Sequence, residues 1–156
     1  MNGERLPAGV VFERLAVEDL RGAADVLRPL YDQSGGADGF ISWEVSPELA
    51  DDTDATLAEV RRLWRMFDRP NAMIKIPGTL AGLPAIEAAL AEGININITL
   101  LFAVQRYEQV VERRLALWSV ALQAGNRWTA CGRSPASSSI RVDTLVDRLL
   151  EENGGR

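Results

Sequence analysis

Three short runs of strand-forming residues alternate with stretches of helical periodicity, and this alternation limits the fold of the chain more than any other feature. The runs are Gly39–Val45 (GFISWEV), Ala72–Ile76 (AMIKI) and Ile94–Leu101 (ININITLL). Around them, apolar residues recur at helical spacing over Val17–Tyr31, Asp52–Phe67, Leu83–Ala91, Gln105 to about Leu117, and Asp143–Glu152. The punctuation agrees. Pro29 and Ser34-Gly35-Gly36 close the first helix, Asp52 or Thr53 caps the second, Pro70 follows its end, and Gly93 closes the third. Ala55, Leu57, Val60, Leu63 and Trp64 supply most of the apolar face of the second helix. Strands separated by a helix and short connections pair in parallel, as βα units. No linker-like or low-complexity segment divides the chain, and 156 residues at 47% hydrophobic content suffice for one core. The expectation is a single α/β domain over residues 1–156.

Side chains alternate across a strand, so parity sorts each run into two faces. In the third run Ile94, Ile96 and Ile98 point one way, while Asn95, Asn97 and Thr99 point the other. The isoleucine face packs under helices. The opposite face carries two amides and a hydroxyl, which is unusual in a parallel sheet, where both faces are ordinarily apolar. By the same rule Ile74 and Ile76 face the helices and Met73 and Lys75 oppose them, while Ser42 and Glu44 share a face of the first run. Neighbouring strands then present Glu44, Lys75 and Asn97 near their C-terminal ends, where parallel α/β sheets bind ligands. Taken singly, Glu44 also reads as an exposed strand-end carboxylate, and Asn95 and Asn97 as turn-forming amides.

Lys75 is the only lysine among 17 basic residues; the rest are arginines. It interrupts an apolar strand rather than decorating a helix surface. Desolvation lowers an ammonium pKa, and a neutral amine attacks carbonyl carbon. Arginine cannot replace it, because the guanidinium stays charged. The structural alternative is a stem packed on the strand with its head reaching solvent.

Composition removes several classes of function. The chain has no histidine, which excludes Ser-His-Asp triads, imidazole shuttles and His-based zinc sites. Acid–base work falls to carboxylates, Lys75, tyrosine or water. A net charge of −5 without a basic stripe argues against nucleic acid as a partner. No apolar run approaches the roughly 20 residues that span a bilayer. The start, Met1-Asn2-Gly3-Glu4-Arg5, does not read as a signal peptide, and a lone Cys131 fits a reducing compartment. The expected location is the cytoplasm.

The runs Gly39–Pro47, Met73–Pro77 and Gly93–Phe102 resemble three consecutive strands of the transaldolase family, in its order and with helices of fitting length between them. The resemblance extends from about Leu15 to Arg114 and resumes from Arg141 to Leu150. It implies a partial (β/α)8 TIM barrel of the class I aldolase type, roughly strands three to six with their helices. It also implies transfer of a dihydroxyacetone unit between sugar phosphates, in the pentose phosphate pathway, with no metal or organic cofactor. Residue by residue, Lys75 matches the Schiff-base lysine and Glu44 the glutamate that handles the catalytic water. Thr99 matches the hydroxyl beside that water, Asn97 the amide that binds dihydroxyacetone hydroxyls, and Arg141 a phosphate-binding arginine.

A complete barrel of this type takes about 250 residues. Against the family, this chain lacks the first two strands, with the principal acid–base aspartate, and the last two. Such a partial barrel is expected to self-associate through open sheet edges. It leaves two readings besides the transferase: an inactive half-barrel, or a Schiff-base aldolase acting on a related sugar phosphate. Between about Leu115 and Ile140 the residues depart from the family pattern while the spacing from Arg106 to Arg141 is kept. Compensating frameshifts in the coding sequence would produce that, as would ordinary divergence of a surface helix.

Overall fold

A computed structural model of the chain describes residues 7–123, with side chains placed for residues 7–113. Helix α1 (Ala8–Gln33) leads into strand β1 (Ile41–Glu44), and a 3-10 turn (Pro47–Leu49) precedes α2 (Thr53–Phe67). Strand β2 (Ala72–Pro77), helix α3 (Gly82–Ala91), strand β3 (Ile96–Thr99) and helix α4 (Val104–Gln123) complete the order. The strands form one parallel sheet in the order β1-β2-β3. This is the α/β alternation expected from the pattern, and three strands of a barrel-like segment are present. The sixth strand, the helix over Asp143–Glu152 and Arg141 lie outside the described residues, as does most of the divergent segment.

The core lies between the sheet and its helices. Ile74, Ile76 and Phe67 are completely buried, and Ile96, Ile98, Val60, Leu63, Ile86 and Leu90 join them. Burying a side chain of this size contributes about 1.5–3 kcal/mol, so this apolar face outweighs any single polar contact. Trp43 packs edge-on against Phe67, with ring centroids 6.4 Å apart. On α2 the buried positions are Thr56, Val60, Leu63 and Phe67, with Leu57 and Trp64 partly buried at the flank. Thr56 tolerates full burial because its hydroxyl donates to the Leu49 carbonyl at 2.7 Å.

Polar fasteners set how the helices meet the sheet. Asp52 is the N-cap of α2, accepting from the Ala55 N–H at 2.9 Å. At the other end Asp68 takes a left-handed conformation (φ 49°), and Arg21 from α1 donates to the Met66 and Phe67 carbonyls. Asn71, fully buried, donates from Nδ2 to the carbonyls of Ala24 and Gly39 at 2.8 and 2.9 Å, tying α1 to the entrance of β1. There Gly39 is required twice over. Its φ is +81°, and a Cβ would lie 2.6 Å from the Tyr31 nitrogen. Arg62 of α2 joins Glu59 to Glu13 on α1.

The differences from the sequence-derived boundaries have local causes. Helix α1 begins nine residues before Val17, and its early apolar residues, Phe12 (68% exposed) and Leu15 (60% exposed), lack the burial that would make the periodicity legible. It continues through Pro29 to Gln33. Strand β3 is Ile96–Thr99, two residues shorter at each end than Ile94–Leu101; at the C-terminal end Leu100 turns into a positive φ of 60° and ends the ladder. Helix α4 runs on past Leu117 to Gln123.

Candidate active site

Parity held on all three strands. Ile41, Trp43 and Val45, then Ala72, Ile74 and Ile76, then Ile96 and Ile98 pack on the helical side. Ser42, Glu44, Met73, Lys75, Asn97 and Thr99 occupy the opposite face. Register adds what parity alone does not give. Glu44 pairs with Lys75 and Lys75 pairs with Asn97, so the three lie in one row straight across the sheet. Two residues further along, Pro77 pairs with Thr99.

Two contacts reach from β3 to β1 over the intervening strand. Asn97 Nδ2 donates to Ser42 Oγ at 3.1 Å. Thr99 Oγ1 donates to Glu44 Oε1 at 3.4 Å, a long bond. Adjacent strands lie about 4.8 Å apart, so each contact spans roughly twice that distance between backbones. Lys75 emerges from β2 between these bridges, one toward each end of the strand. It is half-buried, and among the described residues its ammonium has no ion pair or side-chain hydrogen bond. Glu44 is exposed, while Asn97 and Thr99 are partly buried. Asn97 Oδ1 is buried and, among the described residues, accepts from nothing.

The loops beside these strand ends are stapled to one another. Thr53 Oγ1 donates to the Ala81 carbonyl and Thr79 Oγ1 to the Ala50 carbonyl, both at 2.6 Å. Thr79 also accepts from the Gly82 N–H at 2.9 Å. Gly82 has no room for a side chain, since a Cβ would stand 2.3 Å from the Pro77 carbonyl oxygen. These ties fix the C-terminal end of β2, two residues beyond Lys75.

Asn95 does not belong to the site. Its amide donates to the Pro70 and Ala72 carbonyls at 3.2 and 3.0 Å, which secures the entrance of β3 at the other end of the sheet. Ser42 carried no role in the sequence reading beyond sharing a face with Glu44. Its bridge to Asn97 crosses the intervening strand β2, and no local spacing announces it. An open cleft of about 410 Å³ lined by Trp64, Arg65, Asp68, Arg69 and Pro70 lies at the end of the sheet where β2 begins, away from Lys75. Among the described residues no group of three or more His, Cys, Asp or Glu side chains could hold a metal ion, and no helix is long and apolar enough to cross a membrane.

The row sets the Lys75 amine between a carboxylate and an amide, and a neutral amine can add to a carbonyl carbon. Comparison with known proteins agrees with the residue resemblance. The family model "Transaldolase/Fructose-6-phosphate aldolase" matches residues 4–140, a match that runs through the divergent segment and stops just before Arg141. The chain is 49% identical over 141 residues to a transaldolase of Acidothermus cellulolyticus, covering 90% of this chain and 38% of that protein. It is 52% identical over 134 residues to one of Thermobifida fusca, covering 86% and 36%. It is 45% identical over 142 residues to one of Mycobacterium tuberculosis, covering 91% and 38%. The chain thus spans little more than a third of the length of these relatives. Its sequence matches and its parallel sheet lead to one assignment: the chain belongs to the transaldolase/fructose-6-phosphate aldolase family.

Proposed function

We propose that the chain carries the Schiff-base centre of a transaldolase, transferring a dihydroxyacetone unit between sugar phosphates in the cytoplasm. The observation that supports this most is the row Glu44–Lys75–Asn97 across three parallel strands. In this reading the Lys75 amine adds to the ketose carbonyl and, with loss of one water, becomes an iminium. The iminium accepts the electron pair of the breaking carbon–carbon bond, and an aldose phosphate departs as its hydroxyl gives up a proton. Glu44, held by Thr99, positions the water that carries that proton. Asn97 holds the hydroxyls of the retained three-carbon fragment with neutral groups until an aldose acceptor arrives. The enamine then attacks the acceptor carbonyl, and water releases the new ketose and restores the amine. Arg141 supplies a bidentate grip on the substrate phosphate.

Two observations favour alternatives. The family description names an aldolase beside the transferase, and the chain spans only part of its relatives. Aldose phosphate released from fructose 6-phosphate, followed with and without an aldose acceptor, separates the three readings. A transferase releases about one equivalent alone and turns over slowly only with acceptor. An aldolase turns over without it. Absence of any release, even the first equivalent, refutes both catalytic readings and leaves an inactive segment.

A further inference from the structure

We propose that Ser42 is a positioning residue: its hydroxyl oxygen holds the donor end of the Asn97 amide, so that the acceptor end, Oδ1, faces a hydroxyl group of a ketone bound at Lys75. The inference rests on the Schiff-base reading of Lys75 and deepens it, because it names a residue that would act on the substrate through Asn97.

Three observations carry it. Asn97 Nδ2 donates to Ser42 Oγ at 3.1 Å, so one end of the amide is committed. The other end, Oδ1, is buried and has no donor among the described residues. A buried acceptor left without a donor is costly, and a donor arriving with a ligand relieves that cost. Asn71 Oδ1 shares this condition, but it lies in the core under α1. Asn97 differs in its place, as the register partner of Lys75 on the same face.

The remaining polar groups on that face leave the task to Ser42. Glu44 and Thr99 are bonded to each other, Asn95 is held by the Pro70 and Ala72 carbonyls, and Met73, the register partner of Ser42, is apolar. In this arrangement the acceptor end would meet the ammonium or iminium that develops at Lys75, which electrostatics favours, whereas the reversed amide would set donor against donor. Ser42 therefore sets which end of Asn97 the substrate meets. A ketone bearing a hydroxyl donor gains a bond there, and a ketone with methyl groups alone gains none.

The test uses the full chain and two readouts. In the first, hydrogen exchange of the Asn97 side-chain amide is followed by 15N NMR, its signals assigned by their loss in Asn97→Asp. Ser42→Ala is expected to accelerate that exchange several-fold, whereas Ser42→Thr, which keeps an acceptor, leaves it near the original rate. Unchanged exchange in Ser42→Ala overturns the proposal. In the second, borohydride trapping at Lys75 is compared for dihydroxyacetone and acetone. Ser42→Ala should slow trapping of dihydroxyacetone about tenfold, the scale of one hydrogen bond. It should leave acetone unchanged, with recovery in Ser42→Thr. An equal loss for both ketones overturns the proposal, since it would mean damage to Lys75 or to the fold. If neither ketone is trapped by the unaltered chain, the Schiff-base reading fails, and amide exchange still decides the role of Ser42.

Discussion

At the scale of single residues, the groups proposed for chemistry differ from those that hold the backbone. Gly39 and Gly82 are of the second kind. Alanine at Gly82 would press its methyl group on the Pro77 carbonyl, and backbone cannot yield as a flexible side-chain end can. Gly82→Ala is expected to cost about 1–3 kcal/mol, read as lost hydrogen-exchange protection in β2 and α3. Protection equal to the original would show that this approach is not tight. Asn71→Ala removes two buried hydrogen bonds, those to the Ala24 and Gly39 carbonyls. Its expected cost is about 2–4 kcal/mol, concentrated in α1 and β1. Much of the site was legible at this scale. The uniqueness of Lys75 follows from composition, and the parity of Glu44, Asn97 and Thr99 from strand geometry. The alignment of Glu44, Lys75 and Asn97 in one row was not legible, because register depends on how each crossover helix sets the height of the next strand. The Ser42–Asn97 bridge was hidden for the same reason.

At the scale of elements, polar ties between helices carry a pH signature. Glu13 on α1 sits below its ordinary value of 4.5, chiefly through the hydrogen bond from Arg62, with burial opposing and charge attraction adding to the bond. A carboxylate with a depressed folded-state pKa contributes stability fully above its unfolded value and loses it as pH falls through the folded one. Glu13→Gln should therefore weaken α1 protection at pH 6 by less than about 1 kcal/mol, since the pair is only part-buried and solvent screens it. The difference from the original chain should shrink below pH 4.5. A difference that grew on acidification would contradict the assignment. Sequence captured the kinds of element and most of their ends, because capping residues such as Asp52 and Gly93 act locally. It missed the first part of α1, whose exposed Phe12 and Leu15 obey no core-facing pattern, and the early end of β3, where Leu100 takes a positive φ.

At the scale of the whole molecule, burial and pairing are incomplete among the described residues. Strands β1 and β3 are each paired on one side only. Phe12, Leu15 and Val26 of α1 are 68%, 60% and 78% exposed, as are Phe102 (72%) and Val104 (68%) near the strand ends. Unpaired edges and exposed apolar groups invite association. Sedimentation velocity should show species above the monomer that grow with concentration, together with a broad thermal transition. A monodisperse monomer with a sharp melt would contradict this. The central claim, that Lys75 is a carbonyl-reactive amine framed by Glu44 and Asn97, is tested most directly by covalent trapping. The chain is incubated with fructose 6-phosphate and borohydride, digested, and the reduced adduct located by mass spectrometry. With a single lysine in the sequence, side-chain modification has one possible position. The account predicts an adduct on Lys75 that disappears in Lys75→Arg, and an adduct confined to the terminal amine would contradict it.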